Sequence, residues 1–177
     1  MLKKWKFISP IILFLISFPI HFLYTLFPNI ITSFFTPVNE SIFEHMKLFI
    51  TSLSIVTIFD YFILNKKNIT FNNIFLNLFL TIVFSIITYL IIYIPIYNTF
   101  GENIIFSIIL LFIILVISQI ISYFIYNIKE LELLNYVSIL LVISICVIFT
   151  YLSYNPIYNY IFFDTINEKY GIDKYID

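Results

Sequence analysis

Five long apolar segments, separated by short polar breaks, make up most of the chain. Each segment is long enough to cross a bilayer as a helix, which takes about 20 mostly apolar residues. A segment in lipid must satisfy its backbone hydrogen bonds internally, so these runs predict helices even though they are rich in β-branched residues. The predicted spans are residues 7–27, 43–64, 71–94, 104–126 and 134–152. The predicted fold class is therefore all-α, an integral membrane bundle of about five transmembrane helices.

The composition supports this class and excludes others. Hydrophobic residues make up 62% of the chain and charged residues only 11%, whereas a soluble domain has about 25% charged residues. All nine basic residues are lysines and the formal net charge is -1, which argues against a nucleic-acid partner. The expected partners are the lipid bilayer and, as one alternative, a second copy of the chain in a homo-oligomer. Cys146 is the only cysteine, so the chain cannot form an internal disulfide.

The N-terminal lysines Lys3, Lys4 and Lys6 precede the first span, as they would in a signal peptide. The apolar run that follows is longer than the about 7–15 residues of such a signal. No small-residue cleavage site follows it, which indicates an uncleaved anchor. We therefore expect residues 1–154 to form a five-span transmembrane domain. Residues 155–177 are expected to form an interfacial tail on the extracytoplasmic surface that covers the mouth of the bundle.

The distribution of lysines predicts the orientation, because loops on the cytoplasmic side carry an excess of basic residues. With the N-terminus in the cytoplasm, six lysines fall inside and three fall outside. The sequence thus predicts a multi-pass protein of the cell (plasma) membrane with a cytoplasmic N-terminus and an extracytoplasmic C-terminus. This topology places the polar segments 39–45 and 97–103 on the extracytoplasmic face, together with the tail and its acidic residues Asp173 and Asp177.

Candidate chemistry is concentrated near this face. His21 is an ionisable residue inside a predicted span, which is costly and points to a function. Glu40 and Glu44 would be i,i+4 neighbours on a helix and would repel each other unless a proton, a metal ion or Lys47 intervenes. We therefore predict a polar pocket in which His21, Glu40, Glu44 and His45 are the catalytic residues. His21, Glu44 and His45 would supply the two-histidine, one-carboxylate ligand set common for catalytic Zn²⁺, so a divalent metal such as zinc is the candidate cofactor.

A helix cap is the alternative interpretation of the same segment. Ser41 followed by Glu44 three residues later matches a capping box, and acidic residues suit a helix N-terminus. The cap accounts for Ser41 and Glu44 without any function, but it does not account for His45. The inverted zinc-protease motif is absent, because Ile42 stands where that motif requires its first histidine.

Two further polar residues lie deeper in the predicted spans. Asp60 is expected to snorkel toward the membrane surface or to pair with Lys66 or Lys67, and Gln119 to hydrogen-bond across helices. Alternatively, the two mark a polar path through the membrane. Three functional hypotheses follow: an intramembrane hydrolase with Asp164 of the tail in a lid, a small transporter or permease subunit, and a structural membrane protein with no catalytic site. The sequence does not indicate a substrate.

The most distinctive polar segment reads Pro37-Val38-Asn39-Glu40-Ser41-Ile42-Phe43-Glu44-His45. It resembles the signature of a bacterial family of multi-pass membrane proteins of unknown function, which typically has tryptophan where this chain has Phe43. The resemblance extends over nearly the whole chain, through segments 21–24, 155–156, 162–164 and 170–171 and the surroundings of Gly101 and Gln119. It implies a small multi-pass membrane protein and brings no activity, cofactor or substrate with it.

Reporter fusions test the predicted orientation. After residue 130, a reporter that works only in the cytoplasm should be active, and after residue 100, a reporter that works only outside the cytoplasm should be active. The predicted topology places these two loops on opposite sides of the membrane. A fusion after residue 45 that reports the cytosol would contradict the topology and would move the polar pocket to the other face.

Overall fold

The computed structural model of the chain describes residues 1–172 and the backbone of residues 174–175. Asp173 and Asp177, which the predicted topology places on the outer side, lie outside the described residues. The described part of the chain forms six α-helices followed by three two-residue strands. In chain order these are α1 (Leu2–Leu26), α2 (Ile30–Phe35), α3 (Ile42–Lys66), α4 (Ile74–Phe100), α5 (Ile104–Asn127), α6 (Glu132–Tyr154), β1 (Phe163–Asp164), β2 (Lys169–Tyr170) and β3 (Lys174–Tyr175).

Five of these helices, all except α2, are long and apolar enough to cross a membrane. The predicted all-α bundle of five spans is therefore confirmed. The short helix α2 was not predicted, because six residues are too few to show a helical period in the sequence. The side chain of Asn29 caps it by accepting hydrogen bonds from the backbone N–H groups of Ile31 and Thr32.

Two boundaries differ from the predicted ones for physical reasons. α1 begins at Leu2 rather than at residue 7, because Lys6 is a buried residue of the bundle, only 4% exposed, and not a solvated flank. α4 continues to Phe100 and contains Pro95, before which the predicted span ended. Proline removes one helical hydrogen bond, and α4 accommodates this loss near its C-terminal end.

The helices pack around one core, in which α1 runs antiparallel to α3 and α5, whereas α4 and α6 run parallel to each other. On α1 and α3, Lys6 lies opposite Asp60, and His21 lies opposite His45. We call the two ends of the bundle the Asp60 end and the His21 end. α5 packs against α1 and α4, whereas α6 covers α4 and α2. The core between α1, α3, α4 and α5 is built from buried apolar side chains, among them Leu13, Phe49, Ile82 and Ile114.

A buried ion pair closes the Asp60 end. Lys6 Nζ lies 2.5 Å from Asp60 Oδ2, and the two side chains are 2% and 1% exposed. Trp5 Nε1 donates to Asp60 Oδ1, and the Tyr126 hydroxyl donates to Asp60 Oδ2. Lys6 also donates to Oε1 of Gln119 on α5. The pair thus ties together three helices, and each oxygen of its carboxylate has a donor.

The expectation that Asp60 pairs with Lys66 or Lys67 is wrong, since its partner is Lys6 of another helix. Those two lysines are exposed at the end of α3. A buried carboxylate without a counter-ion is costly, so it pairs with the cation that is buried beside it. The expected hydrogen bonds of Gln119 across helices are confirmed, because its Oε1 accepts from Lys6 and from Ser9 of α1.

The chain beyond α6 folds back over the His21 end. Its three strands pair antiparallel in the order β1-β2-β3. Phe163 lies opposite Tyr170, and Asp164 lies opposite Lys169. Two-residue strands leave no alternating pattern, so they were not predicted from the sequence.

Replacing Asp60 with asparagine should strongly destabilise the bundle. The variant leaves Lys6 as a buried charge without its counter-ion, and breaking a buried pair in this way costs about 3–5 kcal/mol in soluble proteins. Thermal unfolding in detergent measures the loss. The double variant Lys6→Gln/Asp60→Asn is the matched control, because two neutral amides retain hydrogen bonds and should recover part of the stability. An unchanged unfolding temperature in the single variant would contradict a stabilising role for the pair.

Candidate metal centre

Two histidines and one glutamate meet at the His21 end of the bundle. His21 Nε2 lies 3.1 Å from His45 Nε2. Glu40 Oε2 lies 3.3 Å from His21 Nε2 and 3.4 Å from His45 Nε2. The three atoms form a nearly equilateral triangle, and the side chains of His21, His45 and Glu40 are 19%, 23% and 31% exposed. We call these three residues the His–Glu–His cluster.

Three backbone elements supply the cluster. His21 lies near the end of α1, His45 lies in the first turn of α3, and Glu40 lies in the loop before α3. Ser41 is the N-cap of α3, and its Oγ accepts a hydrogen bond from the backbone N–H of Glu44. Because the helix begins only after Ser41, Glu40 does not lie one turn before Glu44 on a common face. Its carboxylate reaches the two histidines instead.

The first turn of α3 also orients His45. Its Nδ1 lies 2.9 Å from the Ser41 carbonyl oxygen. A carbonyl oxygen can only accept, so Nδ1 carries the proton and donates. In the neutral ring, Nε2 then offers its lone pair to the cluster, which is the tautomer that a metal ligand requires. Nδ1 of His21 is buried and has no hydrogen-bond partner among the described residues.

Glu40 brings a negative charge to the cluster. The ring nitrogens of His21 and then of His45 beside it outweigh the effect of burial and hold the pKa of the Glu40 carboxyl well below its usual range. The carboxylate is therefore ionised at neutral pH. An ionised oxygen beside two imidazole nitrogens favours a bound cation.

Glu44 does not join the cluster. Its carboxylate is 1% exposed and lies 2.9 Å from Lys47 Nζ. It also accepts hydrogen bonds from Ser153 Oγ of α6 and from the backbone N–H of Val38, at 2.5 and 3.1 Å. The carboxylate that meets the two histidines is therefore that of Glu40, whereas the sequence had predicted Glu44. Lys47 compensates the charge of Glu44 inside the protein. The sequence had left a proton, a metal ion or Lys47 as the partner that relieves the repulsion between the two glutamates.

The capping interpretation is correct for Ser41 and wrong for Glu44. Ser41 caps α3, but the backbone N–H of Ser41 donates to Asn39 Oδ1 at 2.9 Å instead of to the Glu44 carboxylate. In a capping box, the Glu44 carboxylate would accept the hydrogen bond from the backbone N–H of Ser41. Here the side chain of Asn39 accepts it instead. The carboxylate of Glu44 is left for Lys47.

The C-terminal tail holds the loop that carries Glu40. The backbone N–H of Glu40 donates to Asp164 Oδ2 at 2.9 Å, and the backbone N–H of Phe43 donates to the Ile161 carbonyl. The Phe43 ring stacks on Phe162, with ring centroids 4.3 Å apart. Asp164 is fully buried and acts through the backbone of Glu40, so it is a positioning residue and not a member of the cluster.

Gly171 brings the end of the tail close to α6. Its φ is +54°, and a Cβ at this position would lie 2.4 Å from the Ser153 carbonyl oxygen. That oxygen accepts a hydrogen bond from the backbone N–H of Ile172, and the Gly171 carbonyl accepts one from Asn39 Nδ2. A side chain does not fit here, which accounts for the glycine and shows that the tail is tightly docked.

A cavity of about 510 Å³ adjoins the His–Glu–His cluster. This volume is in the range of small-molecule sites, about 300–1,000 Å³. Its walls come from α1, α3, α4 and α5 and are mostly apolar or aromatic, with Phe18, Leu48, Phe49, Tyr89, Tyr93 and Leu111 among them. Glu102, which also lines the cavity, accepts a hydrogen bond from Thr165 of the tail. The cluster therefore borders a space large enough for a ligand.

Sequence reasoning missed Ser153, Tyr93 and Glu102 as parts of this region. Ser153 is 109 residues from Glu44 along the chain, so no local pattern connects them. Tyr93 lay inside an apolar run, where aromatic residues are common. Glu102 could have been found from the sequence, because it belongs to segment 97–103. The predicted topology places this segment on the same membrane face as segment 39–45 and the tail.

The fold is that of a multi-pass membrane protein with a polar cluster and a cavity at one end of its bundle. The chain belongs to a family of unknown function, DUF6512, which matches residues 1–172. A family of unknown function that covers nearly the whole chain is what the resemblance implied. Comparison with curated proteins and with solved structures found no match.

Replacing Asp164 with alanine should destabilise the protein. The backbone N–H groups of Glu40, Ile166 and Asn167 would lose their acceptor, and a typical hydrogen bond contributes about 0.5–1.5 kcal/mol to stability. Thermal unfolding in detergent measures the effect. Thr165→Ala is the matched control, because it removes only the exposed hydrogen bond to Glu102. Equal unfolding temperatures for the two variants would contradict the role assigned to Asp164.

Proposed function

We propose that this protein is a membrane-embedded metalloenzyme in which His21, Glu40 and His45 bind one divalent metal ion. Zn²⁺ is the proposed metal, and hydrolysis of a lipid-soluble substrate is the proposed reaction. The observation that supports the proposal is the triangle formed by two Nε2 atoms and one Oε2 atom. Neither the transporter hypothesis nor the purely structural one requires such a triangle of ligand atoms.

The triangle has the dimensions of one face of a zinc coordination tetrahedron. Zinc binds nitrogen and oxygen at about 2.0–2.1 Å, and tetrahedral angles then separate the ligand atoms by about 3.3–3.4 Å. The observed edges are 3.1, 3.3 and 3.4 Å. Without a cation, three atoms at mutual hydrogen-bond distance compete for the same protons. In the neutral form of His45 the proton is on Nδ1, so its Nε2 adds an acceptor to this competition.

Three protein ligands leave one coordination position for water or substrate, as in catalytic zinc sites. The adjoining cavity gives a substrate access to the cluster. A zinc ion supplies two effects: it lowers the pKa of water to about 7 and it polarises a carbonyl oxygen. For an ester, hydrolysis places the hydroxyl of water on the acyl carbon and its remaining proton on the departing alkoxide oxygen, so the products are an acid and an alcohol.

We also propose that the His21 end faces the outside of the cell membrane, with the N-terminus in the cytoplasm. The lysines support this orientation. Five lysines are exposed around the Asp60 end, at the start of α1, the end of α3 and the connection from α5 to α6. They are Lys3, Lys4, Lys66, Lys67 and Lys129. A basic end of this kind favours the cytoplasmic side.

Metal analysis tests the proposed centre. Purified wild-type protein, loaded with Zn²⁺ and freed of excess metal, should retain one zinc per chain by elemental mass spectrometry. His45→Ala and Glu40→Gln should each lose most of it, because each removes one of three ligands. Glu102→Gln is the matched control, since it changes a carboxylate that lines the same cavity but lies outside the cluster.

The outcomes separate the parts of the proposal. A wild-type protein that retains no metal, or ligand variants that retain as much as the wild type, would contradict the metal centre. Firmly bound iron in place of zinc would keep the centre and overturn the hydrolase, because two histidines and one carboxylate also hold Fe(II) in oxygenases. Hydrolysis itself is measured with long-chain fluorogenic esters in proteoliposomes, where turnover should require both zinc and Glu40.

A further inference from the structure

Helices α1 and α5 are in contact at the Asp60 end, and toward the His21 end both helices line the cavity. Near the Asp60 end, Gln119 of α5 accepts hydrogen bonds from Lys6 and Ser9 of α1. Further along, the rings of Phe14 and Phe112 lie 5.2 Å apart. Beyond this ring contact, residues of both helices line the cavity. The cavity therefore begins where the close packing of α1 on α5 ends.

Several side chains that α1 and α5 contribute to the cavity wall are both apolar and exposed. Phe18 and Phe22 of α1 line the cavity, as do Ile104 and Ile108 of α5. The same side chains are 39%, 54%, 65% and 37% exposed. In a bundle that spans a membrane, exposed apolar side chains of the spanning helices face lipid. These four residues, which we call the α1–α5 seam, thus border both the cavity and the acyl chains of the bilayer.

The interior of the cavity has a polar end and an apolar end. It follows α1 from Ser17 to Thr25, which corresponds to about 12 Å at the helical rise of about 1.5 Å per residue. The His–Glu–His cluster and Glu102 lie toward the end of the bundle, whereas Leu48, Phe49 and Leu111 lie deeper. This order matches a membrane lipid, whose polar linkage lies near the surface and whose chain points to the middle of the bilayer.

The tail limits access from the water side. Ile166 and Asn167 of the tail line the cavity at its polar end. Thr165 Oγ1 donates to Glu102 Oε2 at 2.9 Å, which joins the tail to the connection between α4 and α5. The tail lies over the polar end of the cavity, and the α1–α5 seam is apolar. Together these two features favour a ligand that enters the cavity from the bilayer.

We infer that the α1–α5 seam is a lateral portal through which one acyl chain of an ester lipid enters the cavity from the surrounding bilayer, with the ester group at the His–Glu–His cluster. This inference deepens the proposed function, on which it rests, because it names the substrate class of the same site. The chain fills the apolar depth of the cavity, and the ester carbonyl lies where the metal polarises it.

Quenching of tryptophan fluorescence by brominated acyl chains tests the portal. Tyr93 is 5% exposed and lines the cavity, so Tyr93→Trp places a fluorophore inside it. Trp5 stays in every variant, because Asp60 accepts its hydrogen bond, and the wild-type signal is subtracted. The protein is reconstituted in phosphatidylcholine with or without bromine on the acyl chains. We expect the added fluorescence of Tyr93→Trp to fall strongly with the brominated lipid.

Two reference variants give the scale of the quenching. Phe43→Trp is the protected reference, because Phe43 is 5% exposed and stacked between Phe149 and Phe162, outside the cavity. Ile105→Trp is the lipid-exposed reference, since Ile105 is 73% exposed. Quenching of Tyr93→Trp close to that of Ile105→Trp supports the portal, and quenching as weak as that of Phe43→Trp overturns it.

Two further measurements distinguish entry from the bilayer from entry from water. Iodide in the buffer reports access from water, and quenching of Tyr93→Trp by iodide but not by brominated lipid would overturn the portal. Native mass spectrometry of the wild-type protein should show a bound lipid that retains an ester-linked acyl chain. Zinc content, measured on the same samples, separates the two proposals: retained zinc without lipid quenching overturns only the portal, and lipid quenching without zinc overturns only the metal centre.

Discussion

The antiparallel pairing of α1 and α3 through polar side chains at both ends is the constraint on which the structure depends. Fifteen residues separate Lys6 from His21 on α1, and fifteen separate Asp60 from His45 on α3. At about 1.5 Å per residue, both contacts are about 22 Å apart along their helices. Apolar surfaces alone specify the register of two spanning helices weakly, because lipid tails are as apolar as leucine side chains. The two polar contacts agree on one register, and that register brings the histidines together.

The sequence was sufficient to predict that the two histidines meet, but not which glutamate joins them. The predicted topology placed His21 and His45 near the same membrane face, and the structure brings them together. The choice between Glu40 and Glu44 depended on where α3 begins, to within one residue. Treating both glutamates as helical put them on one face, whereas the N-cap at Ser41 leaves Glu40 in the loop. The segment contains both a helix cap and the cluster, because the cap at Ser41 leaves the Glu40 carboxylate free to reach the two histidines.

Other features depend on contacts that local patterns do not encode. Asp60 pairs with a lysine 54 residues away, and Asp164 accepts from a backbone N–H 124 residues away. Sequence spacing favours near neighbours, so it assigned Asp60 to the lysines at the end of its own helix. The five spans were predictable because the bilayer imposes a length and an internal hydrogen-bond pattern on each segment separately. Which polar groups meet is decided only when the segments pack.

The docking of the tail has a consequence for biogenesis. The three residues of the cluster belong to the first 45 residues of the chain, but the loop that contains Glu40 is held by residues 161 and 164. While the protein is being synthesised, α1 and α3 leave the ribosome long before those residues exist. Glu40 therefore receives its backbone acceptor only after the last spanning helix has been made, and the His–Glu–His cluster is completed as one of the final steps of assembly.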